Sequence, residues 1–161
     1  MAKKIPSALA TALLAAFMST NAAAATEQQA LAQLDRSAAK NTEARQTART
    51  ELSALVKAGV PVDQALEVVR SAAEKGYSAG DLRQVSGEIR AQVQQGIPAE
   101  QVTKIADRAI DAGYSASATQ KALNTFEVRV ENGMPAAQAY ARSANEIGTG
   151  AGTGSKATRS G

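Results

Sequence analysis

The sequence predicts an all-α protein built from tandem antiparallel helical hairpins with a 37-residue repeat. Three observations carry that expectation. Gly59, Gly96 and Gly133 are 37 residues apart, and Pro61, Pro98 and Pro135 keep the same step. Gln64, Gln101 and Gln138 follow it too, and the triplet Gly76, Tyr77, Ser78 returns as Gly113, Tyr114, Ser115. Punctuation recurring at this spacing marks stacked supersecondary units, because each hairpin buries its apolar stripe only against its neighbours. A short α-solenoid is the expected form, and a closed helix bundle made from the same hairpins is the alternative.

Residues 1–25 read as a cleaved secretory signal: Lys3 and Lys4 precede the uncharged run Ala8 to Met18, and Ala23 and Ala25 supply small residues at the cleavage end. The chain has no cysteine, so neither a disulfide framework nor a lipid-attachment site is expected. An exported destination, periplasmic or extracellular, follows from that reading, with no membrane span once the signal is removed.

The charge balance excludes a nucleic-acid surface. The formal net charge is +3, but without Lys3 and Lys4 the chain has 16 basic against 15 acidic residues, with the two signs interspersed along every helix. The apolar content is thin. Leu, Ile, Val and Phe make up 23 of the 136 residues from Thr26 onward, and alanine supplies much of the rest. Small side chains allow close helix approach but bury little area each.

Thr26 to Lys40 shows a weak helical pattern without the repeat's punctuation, as a terminal unit does. From Thr42 to Ala58 the pattern strengthens through Ala48, Leu52, Leu55 and Val56. Gly59 then closes one helix and Pro61 takes the first position of the next. The helices after Pro61 and Pro98 carry stripes through Ala65, Val69 and Ala72, and through Val102, Ala106 and Ala109. Each ends at a Gly-Tyr-Ser triplet whose Tyr folds back on the last turn and whose Ser caps the next helix. Ser78 with Asp81 forms a capping box. In the last copy Arg142, Ser143 and Glu146 stand where earlier copies have apolar residues, which suits a terminal unit facing water. The helical-repeat domain is placed at 26–147 and a disordered Gly/Ser/Thr-rich tail at 148–161. In general shape the array resembles the helical-hairpin solenoids, with neither tetratricopeptide nor ankyrin spacing.

No catalytic apparatus is visible. The chain lacks His, Cys and Trp, which removes the commonest general base, the thiolate nucleophile and the usual zinc ligands. No cofactor and no metal site is expected. Ser37 and Lys40 match a two-letter pattern of serine enzymes whose partner motifs are absent. Asp107 and Asp111 with Glu100, and Glu127 with Glu131, are read as solvated faces. The residues singled out for interaction or repeat packing are Gln64, Gln101 and Gln138 as an inter-repeat ladder and Tyr77 and Tyr114 as hairpin locks. As the alternative to a water-facing terminal unit, Phe126 and Tyr140 mark a docking surface at the C-terminal end. The expected function is that of an exported, non-enzymatic interaction module for a protein or peptide. The alternative is a self-assembling protein of the periplasm or cell surface.

Overall fold

The computed structural model describes residues 26–35 and 42–149, and these are helical without a strand among them. The signal peptide read at 1–25, the Ser37–Lys40 pair and the tail from 150 onward lie outside the described residues. Helix α1 covers 26–35. It is followed by α2 (Thr42–Lys57), α3 (Val62–Glu74), α4 (Ala79–Gln94), α5 (Ala99–Asp111), α6 (Ala116–Glu131) and α7 (Ala136–Thr149). The last helix includes Gly148 and Thr149, two residues assigned to the tail from composition.

The turn chemistry explains the helix boundaries. Gly59 has φ +97° and Gly96 φ +91°, backbone that an L side chain rarely adopts. At the first of these turns the Gly59 N–H bonds the Val56 carbonyl and the Val60 N–H bonds the Leu55 carbonyl, a Schellman closure. The same pair of bonds recurs around Gly76, Gly96, Gly113 and Gly133. Pro61 and Pro98 stand one position earlier than expected, at the N-cap, where each carbonyl accepts the first helical bond. Ser78 forms the full capping box with Asp81, whereas Ser115 caps only the Ala118 N–H.

Packing arranges the helices in two rows. Each of α2, α4 and α6 contacts the next in its row, as do α3, α5 and α7, and the hairpin pairs α2–α3, α4–α5 and α6–α7 join the rows. Neither α2 nor α3 touches α7, and α2 does not touch α6, so the described helices form an open array rather than a closed bundle. The succession is compatible with the 37-residue hairpin unit. At the N-terminal end α1 packs on α2 through buried Ala30 and Leu34, a Ser53–Glu27 hydrogen bond of 2.6 Å and an Asp35–Arg49 ion pair.

The core runs along the seam between the rows. Leu52, Leu55, Ile89, Leu123 and Phe126 enter it from one row and Val69, Val102, Ile105 and Ile110 from the other, all fully buried. Each contributes about 1.5–3 kcal/mol of hydrophobic stabilisation. Between them Ala48, Ala65, Ala106, Ala109 and Ala139 are also sealed from solvent, which permits the close approach that the alanine content implied. Glu51 is buried as well, between α2 and α4, with Arg90 at 3.4 Å. Burial raises its pKa above the ordinary carboxylate value, and the charges of Arg90 and Arg83 pull it partly back.

Candidate functional site

Across the row α3, α5, α7 runs a groove of about 530 Å³, lined among others by Gln64, Glu67, Thr103, Lys104, Arg108 and Tyr140. The 3.6-residue period places these side chains there. In α5 the stripe Val102, Ile105, Ala106, Ala109 turns to the core, leaving Lys104 and Arg108 exposed and Thr103 at the junction with α3. The Thr103 hydroxyl donates to the Ala99 carbonyl at 2.8 Å and approaches the Gln64 amide oxygen at 3.2 Å. Arg108 donates through Nε to the Ala144 carbonyl at 2.9 Å, tying α5 to α7.

Several acidic side chains here have partners. Asp107 accepts from the Ser71 hydroxyl at 2.7 Å, and Asp111 lies 4.0 Å from Lys75. Glu100 pairs with Lys104 at 2.6 Å on the exposed face of α5, raising the Lys104 pKa. Among the described residues no group of three or more His, Cys, Asp or Glu is placed to hold a metal ion. The groove offers hydrogen bonds and charges of both signs, the chemistry of polypeptide recognition.

The structure separates the sequence-selected residues. The three glutamines form no ladder: Gln64 faces Thr103, the Gln101 amide oxygen is buried without a hydrogen bond among the described residues, and Gln138 is exposed. The reason is register. The residue 39 positions after Gln64 is Thr103, with a short hydroxyl, whereas the one 39 after Gln101 is Tyr140, whose hydroxyl lies at the far end of a ring. Phe126 is fully buried and is corrected from a docking residue to a core residue; it occupies the phase of Ile89 in the preceding unit. Tyr140 is half-buried in the groove wall.

Tyr77 does more than lock its own hairpin. Its backbone N–H closes α3 on the Ala72 carbonyl, and its buried hydroxyl crosses to the next unit. There it donates to the Tyr114 carbonyl at 2.7 Å and lies 3.0 Å from the Thr119 hydroxyl. Burial raises the Tyr77 pKa. The 37-residue spacing of two tyrosines was the signal for this bridge, since it pairs the side chain of one with the backbone of the other. Tyr114 is buried likewise, but its hydroxyl has no partner among the described residues.

The described helices define an all-α body, an open two-row array. Residues 48–147 match the family of type II secretion system protein F, and the chain belongs to that family. No curated protein and no solved structure matches the chain. The family match corrects the functional and localisation expectations. Protein F is a membrane-associated component of the secretion machinery, so the reading as an exported, periplasmic or cell-surface module is withdrawn, together with its self-assembling alternative. The run of small and apolar residues at the N-terminus suggested export; the helices at 48–147 carry the family signature instead. Protein partners, also expected, agree with a component of a multiprotein system. No helix among the described residues is long and apolar enough to cross a membrane.

Proposed function

We propose that residues 42–149 act as a non-enzymatic docking body of a type II secretion system, a rigid helical surface on which other proteins of the system are held. The observation that carries this reading is the family match over residues 48–147, on an array whose groove side chains Asp107, Thr103 and Arg108 are held by hydrogen bonds. Carboxylates held by Ser71, Lys75 and Lys104 support recognition by shape and charge better than proton transfer. The partners are proteins rather than nucleic acid, since Lys and Arg alternate with Asp and Glu along the helices.

Affinity purification of the full chain from cells containing an intact secretion system tests the reading. Other components of the system are expected to co-purify, and Lys104→Glu combined with Tyr140→Ala in the groove is expected to reduce their recovery. A chain recovered alone under native conditions refutes the proposal.

A further inference from the structure

We infer that the open end of the array, the outward face of α6 beside α7, binds an acidic helix of another polypeptide; this rests on the reading that the chain works with protein partners. Within the array, each helix of the α2, α4, α6 row grips the next through polar side chains one turn apart. From α4, Gln84 donates to Gln120 at 2.6 Å, Glu88 accepts from Gln120 at 3.1 Å, and Gln92 reaches Glu127 at 3.5 Å. One repeat further on, the same positions are Lys121, Thr125 and Arg129 on α6. Arg129 turns to Ser143 and Glu146 of α7, while Lys121 and Thr125 are exposed and no described helix beyond α4, α5 and α7 contacts α6.

The part of the gripping face at Lys121 and Thr125 is therefore uncovered among the described residues, and where α4 has an amide and a carboxylate it carries a base and a hydroxyl. On α7, Arg142 occupies the position of Val68 and Ile105, which are buried under the following helix in the inner units, while Arg142 is exposed. Arg129 is neutralised by Glu146, but Lys121 and Arg142 take part in no ion pair among the described residues.

A helix carrying Glu or Asp opposite Lys121 and Arg142 satisfies both the charge and the register.

A photo-cross-linking residue at Thr125 of the full chain, in cells with the complete secretion system, tests this, with a second cross-linker at Tyr140 in parallel. The expected product joins Thr125 to a helical segment of another polypeptide with an excess of acidic residues. Lys121→Glu with Arg142→Glu is expected to lower its yield on the order of tenfold, and reversing the acidic residues of the captured segment restores it. Lys121→Gln with Arg142→Gln gives a smaller loss, and circular dichroism checks that each variant is folded. A cross-link to a second copy, to residues 150–161 of the same chain or to a basic segment overturns the inference, as does a yield unaffected by charge reversal. Products at Tyr140 with none at Thr125 sink this inference alone, while absence of products at both positions sinks the docking function beneath it.

Discussion

Replacing Tyr77 with Phe removes one oxygen atom and separates two otherwise equivalent residues. In the native protein that oxygen donates to the Tyr114 carbonyl at 2.7 Å and meets the Thr119 hydroxyl at 3.0 Å. Thr119 is fully buried, so the substitution leaves two polar groups of the next unit without their partner and out of reach of water. The expected cost is about 2 kcal/mol. For a domain of this size that is a fall in Tm of roughly 8 °C. Tyr114→Phe removes the same atom from the same place in the repeat, but there the hydroxyl has no partner among the described residues to lose. Its expected effect on the isolated protein is within about 0.5 kcal/mol of zero, or a slight gain. Urea unfolding followed by circular dichroism measures both, with the slope checked for a common unfolding transition. Equal losses in the two variants would refute the reasoning, because they would show that ring packing and not the inter-unit bond decides stability.

Two further outcomes follow from the turns and the core. Gly96→Ala places a side chain at φ +91° and is expected to cost about 1 kcal/mol, whereas Gly87→Ala, inside α4 and meeting only Arg90 Nη2 at 3.9 Å, is expected to gain about 0.5–1 kcal/mol; thermal unfolding of the pair checks the contrast. Glu51 has a folded pKa raised above its ordinary 4.5 by burial, so the folded state holds a proton that the unfolded chain releases. Its contribution is therefore most favourable below that value and declines as pH rises through the raised one. Glu51→Gln is expected to flatten that decline in a pH series of urea midpoints, and an unchanged profile would assign it to other groups.

The local elements were legible because they are written in local chemistry. Gly at a left-handed position, Pro at the helix entrance and Ser with Asp81 three residues on set boundaries that need no tertiary partner, and each appears within a residue of its expected place. The candidate site was less legible. The apolar period places Phe126 at the phase of Ile89, where the structure buries it and removes the alternative of a docking surface, and among the described residues only Gln64 of the three glutamines meets a partner in the next unit, Thr103, 39 positions on. Arg142, Ser143 and Glu146 were read together as a water-facing set. In the structure Arg129 bonds both Ser143 and Glu146, and only Arg142 is exposed.

By itself the sequence determined the helices, their order and the spacing of the units, because helix caps and apolar periods act over a few residues. Whether the rows close or stay open depends on which distant faces meet, and only the tertiary structure decided it: α2 and α7 do not touch. The same reason explains Tyr77 and Tyr114. Sharing the Gly-Tyr-Ser triplet, they differ because only the Tyr77 hydroxyl meets partners in the next unit among the described residues.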